Sequence, residues 1–202
     1  AGLGPNVAYR RFDITKTGGT RDFVAGVSKE FGTVTILVNN AGVHCKKPIE
    51  EMTPEDFSRV LDVHLVGAFA LTRAAIPDMK AHGGGSVIFQ ASMTSFIGQP
   101  FVAGYSAAKA GLLGLVRTLA SECGADGVRV NAIAPGWIET PMFRQAVDND
   151  ATRLAKILGR IPMKKIGHPD DIGMAAVFLA SEAARYINGV CLPVDGGALI
   201  GF

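Results

Sequence analysis

Four short apolar runs, each closed by small or turn-forming residues, constrain this chain more than any other feature. Val34 to Asn39 leads into Asn40-Ala41-Gly42, and Ser86 to Ala91 ends at Ser92. Val128 to Ile133 continues to Pro135-Gly136, and Val190 to Val194 opens on Asp195-Gly196-Gly197. A further strand is expected near 7–12. Between these runs lie stretches of helical spacing near 20–31, 54–81, 103–124 and 169–181. Strands that are apolar at nearly every position are buried on both faces. Their alternation with helices is the pattern of a parallel sheet covered on both sides. The expectation is an α/β protein, with residues 1–202 forming one domain. Helix starts are legible: Thr53-Pro54-Glu55 supplies an N-cap, a proline at the first position and an acid in the first turn, and Pro169-Asp170-Asp171 after His168 repeats the logic. Gly83-Gly84-Gly85 precedes a strand and reads as a helix stop.

Composition narrows the function classes. The 202 residues are 48% apolar and 19% charged, enough for a substantial core. The net charge is +2 with no Lys/Arg stripe, which argues against nucleic acid or an anionic membrane as partner. The best candidate for a membrane span, residues 60–79, is interrupted by Asp62, His64 and Arg73. Cys45, Cys123 and Cys191 are odd in number and lack CxxC spacing, so neither a disulfide framework nor a zinc site is suggested. A reducing cytoplasm fits them.

The chemistry is concentrated in GYSAAKAG. Tyr105 and Lys109 are four residues apart on a helix, which brings them onto one face. A phenol titrates near ~10, and a cation about 4 Å away at an effective dielectric near ~20 lowers that by up to about three units. Ser92, at the end of the preceding strand in QASMTSFIG, offers a hydroxyl to orient a reacting oxygen. This is general acid–base equipment for a carbonyl/alcohol pair. The four-residue step alone is common, and its context carries the argument.

With Asp13 in RFDIT, the Asn39-Asn40-Ala41-Gly42 turn, Ser92, Tyr105, Lys109, Pro135-Gly136, Thr140 and the closing VDGG in this order, nearly the whole chain resembles the short-chain dehydrogenase/reductase family. The resemblance implies a Rossmann-like doubly wound sheet, NAD or NADP as cofactor, and a dimer or tetramer. It implies Tyr105 as acid/base and Ser92, rather than Ser95, on the substrate oxygen. Lys109 would lower the Tyr105 pKa and hold the nicotinamide ribose. Asp13 with its neighbour Ile14, and the turn Asn40, Ala41 and Gly42, would meet the adenosine. Pro135, Gly136, the backbone near Ile138, and Thr140 would clamp the nicotinamide. The stretch from Trp137 to Pro162 would close over substrate, the alternative being an ordinary surface insertion. Met93, Phe96, Phe101, Trp137, Met142 and Phe143 would make the pocket partly apolar, His44 would border it, and members acting on polyols, sugars or small hydroxy compounds look most similar.

Two departures stand out. The Gly-rich βαβ opening of the family, its strands 1 and 2, is not in the chain; AGLGP follows no strand, and omission of a segment of a longer protein is the favoured explanation. The sheet would then have a gap between strands 7–12 and 34–39, leaving apolar edges. Second, His64 stands where the family carries a helix asparagine that holds a proton-relay water. Neutral imidazole has one donor and one acceptor and suits the same task, with an ionisation expected at roughly 6 to 7. A structural histidine is the other reading. The absent turn and the replaced asparagine leave a second hypothesis open, a catalytically silent binding or scaffold subunit.

Overall fold

The structure, a computed structural model, describes residues 6–148 and 150–201, with the side chains of 142 and 146 left aside. AGLGP and the side chain of Met142 fall outside them. The sheet has four parallel strands side by side in chain order: β1 Ile36–Asn39, β2 Gly85–Gln90, β3 Val128–Pro135 and β4 Cys191–Val194. Val38 pairs with Ile88, Ile88 with Asn131, and Ala132 with Cys191. The helices are α1 Thr20–Phe31, α2 Pro54–Leu61, α3 Ala68–Ala81, α4 Ala103–Cys123, α5 Pro141–Val147, α6 Ala151–Arg160 and α7 Pro169–Ala180.

The alternation of side chains along each strand divides the core. Val87, Phe89, Val130, Ala132 and Ala134 point to the layer of α1, α3 and α4, where they meet Ala75, Met79, Leu112 and Val116. Ile88 and Ile133 point the other way, to Leu179 of α7 and Ala184. Asn131 is fully buried among them; its amide donates to Ile187 O at 3.0 Å and its oxygen accepts from Val190 N at 3.1 Å, which offsets its burial. A third cluster, built from α5, α6, Met93, Ile97, Trp137 and the C-terminal turn, lies over the carboxyl ends of the strands.

Local signals behave as read. Thr53 caps α2 through a capping box with Asp56, and His168 caps α7 in the same way with Asp171. Gly83 and Gly84 take φ of 92° and 143°, and a Cβ on Gly84 would lie 2.7 Å from Gly127 O, so the turn before β2 requires glycine. Gly104 and Gly111 let α4 approach Phe57 and Leu65.

Two expectations fail. Residues 7–12 form no strand among the described residues: without a paired neighbour the backbone has no ladder to join. Instead Val7 and Tyr9 are exposed, Arg10 pairs with Glu30, and Phe12 stacks on Phe23 of α1 at 4.3 Å. The open edge at β1 is present, with Ile36 and Val38 about half exposed on the α7 side of the sheet. The expected single helix 54–81 is interrupted by a π-helical turn, Asp62–Gly67, with His64 inside it. The interruption coincides with close packing, since a Cβ on Gly67 would sit 2.8 Å from Ile14 O. By length and composition residues 54–81 qualify as a membrane span; a third of the apolar window is buried inside the fold, and Thr72, Ala75 and Met79 are among its buried residues.

Candidate active site

The carboxyl ends of β1, β2 and β3 open into one cavity of about 1150 Å³. Open α/β sheets present ligands at this edge because strand ends and helix starts converge there. The turn after β1 contributes Asn40, Gly42 and Val43; the end of β2 contributes Gln90, Ala91, Ser92, Met93 and Thr94; β3 and its continuation contribute Pro135, Gly136, Trp137, Ile138 and Thr140. Helix α4 brings Tyr105 and Lys109, and the π turn brings His64. All four residues expected to carry catalysis, Ser92, Tyr105, Lys109 and His64, therefore line one space.

The four-residue step works as anticipated, placing the Lys109 ammonium over the Tyr105 ring, 5.5 Å from its centroid. Lys109 is 5% exposed, and its ammonium donates to Gln90 O. Burial pushes its pKa down to about 8. The expectation that Lys109 lowers the phenol pKa is not met. Burial holds Tyr105 above its ordinary value, and the hydrogen bond with Ser92 offsets this only in part. The reason is geometric: the ammonium lies over the ring face and is engaged by a carbonyl. In this state Tyr105 is a neutral phenol, a proton donor.

Of the two serines, Ser92 lines the cavity and Ser95 does not. The Ser95 hydroxyl donates to Lys109 O at 2.8 Å and is absent from the cavity wall, whereas the Ser92 hydroxyl lines it. Ser92 Oγ also accepts from Thr94 N at 3.2 Å, which orients it. Thr140 caps α5, its oxygen accepting from Phe143 N at 3.2 Å, so its hydroxyl proton remains available as a donor. A Cβ on Gly136 would fall 2.7 Å from Asp195 Cα, so VDGG packs directly against Pro135-Gly136 from behind.

His64 is 5% exposed and stands edge-on to Tyr105, with ring centroids 5.2 Å apart. Its Nε2 lies 2.7 Å from Val43 O and 3.1 Å from Val43 N. The shorter contact fits Nε2–H donating, which leaves Nδ1 as a bare acceptor. Nδ1 is buried with no hydrogen-bond partner among the described residues. Burial, then the nearby Lys109 charge, lowers the His64 pKa. The ring fills the space above the β1 turn: a Cβ on Gly42 would lie 2.6 Å from His64 Cε1. His44 flanks Tyr105 from another side, centroids 5.8 Å apart, and partial desolvation followed by Lys46 lowers its pKa.

Asp13, Ile14 and Ala41 stand outside the cavity wall. Asp13 is tied up locally, accepting from Thr15 Oγ1 at 2.7 Å and Thr15 N at 3.0 Å, and these bonds hold its carboxyl below the usual value. Met93, Trp137 and Phe143 line the cavity as expected; Phe96 and Phe101 are half exposed and do not. Sequence reasoning missed Gln90, whose role depends on a backbone carbonyl, and Arg153 of α6. For Arg153 the available signal was its i, i+4 relation to Ile157 on the apolar face of α6.

The residues at the floor of the cavity fit the nicotinamide half of a dinucleotide. A buried cation, a phenol and small residues at the strand ends leave room for a flat ring and its ribose. Of the described residues expected at the adenosine half, Asn40 and Gly42 border the cavity.

A family model described as enoyl-(acyl carrier protein) reductase matches residues 1–198. The 2-dehydro-3-deoxy-D-gluconate 5-dehydrogenase of Pseudoalteromonas atlantica is 43% identical over 195 residues, which cover 96% of this chain and 76% of that protein. The 3alpha-hydroxysteroid dehydrogenase of Mediterraneibacter gnavus is 40% identical over 172 residues, 85% of this chain and 68% of that one. The crystal structure of a gluconate 5-dehydrogenase from Burkholderia cenocepacia, in complex with NADP and tartrate, superposes with a TM-score of 0.90 at 31% identity, covering 95% of this chain and 74% of that one. These relatives are dehydrogenases, which leaves the silent-subunit alternative without support. Sequence, fold and the converged Ser92, Tyr105 and Lys109 agree that the chain belongs to the short-chain dehydrogenase/reductase family.

Proposed function

We propose that this protein is an NAD(P)-dependent alcohol dehydrogenase/ketone reductase in which Tyr105 exchanges the proton at a secondary alcohol or ketone oxygen. The observation that carries it is the convergence of the Tyr105 phenol, the Ser92 hydroxyl and the buried Lys109 ammonium on one cavity at the strand ends. The bound dinucleotide supplies or accepts the hydride. Ser92 and Tyr105 hold the substrate oxygen from two sides. In the reducing direction the neutral Tyr105 donates its proton as the carbonyl becomes an alkoxide; in the oxidising direction it takes that proton back. Lys109 offers its remaining N–H groups to ribose hydroxyls and stabilises the phenolate while it lasts. His64 Nδ1, a bare acceptor, orients a water that relays the proton from Lys109 towards solvent.

Pro135, Gly136, Ile138 and Thr140 form the wall against the nicotinamide, and Asn40 to Gly42 the border towards the adenosine, with Asp13, Ile14 and Ala41 outside it. The relatives' names favour a polyhydroxy compound over a simple alcohol as substrate. The free thiols of Cys45, Cys123 and Cys191 support a reducing, cytoplasmic setting, and the small net charge supports a small molecule, not a nucleic acid or membrane, as partner. Half-exposed Val66 and Phe69 support self-association. The test is spectrophotometric: the full-length gene product is incubated with NAD⁺ or NADP⁺ and a panel of polyols, sugar acids and hydroxy acids. Reduction of the dinucleotide by at least one of them is expected. No turnover with any alcohol, together with none of the reverse reaction on ketones, ends the proposal.

A further inference from the structure

We infer that His44 reads a hydroxyl on the carbon next to the one oxidised, so that the preferred substrate is a vicinal diol and, in the reducing direction, an α-hydroxy ketone. This rests on the dehydrogenase reading above and adds to it the substrate class and the residue that selects it. His44 lines the cavity and is exposed, and its ring stands edge-on to Tyr105, centroids 5.8 Å apart at an interplanar angle of 75°. Among the described residues neither ring nitrogen of His44 has a hydrogen-bond or ion-pair partner. His64, the other imidazole against the phenol, is buried, and its Nε2 is engaged by Val43. His44 is therefore the imidazole that a substrate can reach.

A substrate oxygen held by Ser92 and Tyr105 has buried groups behind it, Lys109 and His64. Its neighbouring carbons extend towards the exposed side of the cavity, where His44 and Gln99 stand. Neutral imidazole offers one donor and one acceptor, which matches a hydroxyl, itself both; a lysine or arginine in the same place only donates. Partial desolvation, then Lys46, holds the His44 pKa below its ordinary value and favours the neutral ring. The backbone that carries this ring is clasped to the start of α4. Lys47 N donates to Phe101 O at 2.9 Å, and the Lys47 ammonium pairs with Asp56 of α2 at 2.6 Å. Phe101, which receives the bond, has a φ of 71°, a left-handed conformation that an aromatic residue keeps only where its surroundings enforce it. The Lys46 ammonium lies 5.9 Å from the centroid of the Phe101 ring. Val102, the N-cap of α4, comes next and is 1% exposed, and Tyr105 follows three residues later. The loop of His44 and the helix of Tyr105 are thus joined at one strained residue, and strain of this kind collects at ligand sites.

A hydroxyl at His44 has two sources, the substrate and a cofactor ribose, and the experiment separates them. Full-length wild type, His44→Phe and His44→Gln are assayed with butane-2,3-diol, its isomer butane-1,3-diol and butan-2-ol, and in reverse with acetoin and butanone. Binding is followed independently by quenching of Trp137, the single tryptophan, which lines the cavity. A neutral hydrogen bond is worth a factor of roughly 3–10 in binding. Wild type is expected to favour butane-2,3-diol over the other two alcohols in kcat/KM by at least that factor. His44→Phe keeps a flat ring and removes both nitrogens. It should raise KM and the quenching Kd for butane-2,3-diol and acetoin by roughly 3–10-fold, and change those of the other compounds less. His44→Gln, which keeps a donor and an acceptor, should recover part of the loss. A wild type without the preference overturns the proposal. Equal losses on all three alcohols in His44→Phe, or none, assign His44 to packing beside Tyr105 and overturn it too. A rise confined to the dinucleotide KM overturns it in favour of the ribose. Wild type active on other alcohols but on neither butane-2,3-diol nor acetoin overturns the substrate class while the dehydrogenase reading stands. Wild type inactive on every alcohol and ketone sinks the dehydrogenase reading. The Trp137 titration then decides the His44 contact by itself, and a butane-2,3-diol Kd no weaker in His44→Phe than in wild type overturns it.

Discussion

The imidazole of His64 stands perpendicular to the ring of Tyr105, centroids 5.2 Å apart, at an interplanar angle of 90°. The π turn Asp62–Gly67 carries the histidine to this position, and the turn at Gly42 has no side chain to obstruct it. π turns recur at functional sites because they displace one residue out of the regular helical ladder. Here the displaced segment ends against the residue proposed to move the proton.

Tyr105→Phe removes the hydroxyl and keeps the ring packed between His44 and His64. General acid–base contributions run at roughly 10²–10⁴-fold. Turnover of the full-length enzyme should fall by at least about 10²-fold, with the dinucleotide Kd from fluorescence titration nearly unchanged. A mutant with wild-type turnover removes Tyr105 from the mechanism.

His64 titrates below 6.5 rather than at the roughly 6 to 7 that an unperturbed histidine suggests, because burial and Lys109 oppose its charge. Protonation puts a proton on Nδ1 and turns the relay's acceptor into a donor. The pH–rate profile of wild type should therefore lose activity on the acid side of 6.5, and His64→Asn should lack that limb while keeping most of its plateau rate. The folded protein also binds this proton less readily than the unfolded chain. Stability contributed by neutral His64 is complete above about 6.5 and is lost as pH falls through the depressed folded value. Superimposable rate profiles of wild type and His64→Asn assign His64 to packing alone.

Lys109 is a site where function opposes stability. Its ordinary value of 10.5 falls to about 8 in the folded chain, so below that pH folding carries about 3 kcal/mol of desolvation cost. Between about 8 and 10.5 the unfolded chain holds the proton that the folded chain releases, and stability rises with pH across this window. Lys109→Met keeps the shape and removes the charge, at the loss of a bond to Gln90 O that contributes about 1–2 kcal/mol. Activity should vanish, while chemical denaturation at pH 7 should show a net gain of about 1–2 kcal/mol that shrinks towards pH 10. An unfolding midpoint below wild type at pH 7 contradicts this.

Val66 and Phe69, three residues apart across the junction of the π turn and α3, are each more than 40% exposed. Val60, Leu112 and Val116, by contrast, are buried in the internal core. The remaining exposed apolar pair suits a contact with a second copy. Sedimentation of the full-length protein should give a dimer or larger, and Phe69→Glu should shift it towards monomer with its circular dichroism intact. A monomeric wild type refutes self-association.

The features written within a few residues of one another were legible from the chain alone. Thr53-Pro54-Glu55 and His168 before Pro169-Asp170-Asp171 mark helix starts that side-chain caps then close, and β2 and β3 are marked by apolar runs. Tyr105 and Lys109 share a face because helical geometry puts them there. What required the tertiary structure was anything set by desolvation or by partners remote in sequence. Residues 7–12 have strand-like composition but no ladder to join. Lys109 has the right spacing to acidify Tyr105, yet its surroundings place the ammonium over the ring face and on a carbonyl of β2, and burial then decides both pKa values. Arg153, on a helix far from Ser92 and Tyr105 in the chain, becomes part of their cavity only because α6 folds back over the strand ends. Local periodicity fixes which residues share a helix face; only the packed fold fixes which faces meet and how much water is left between them.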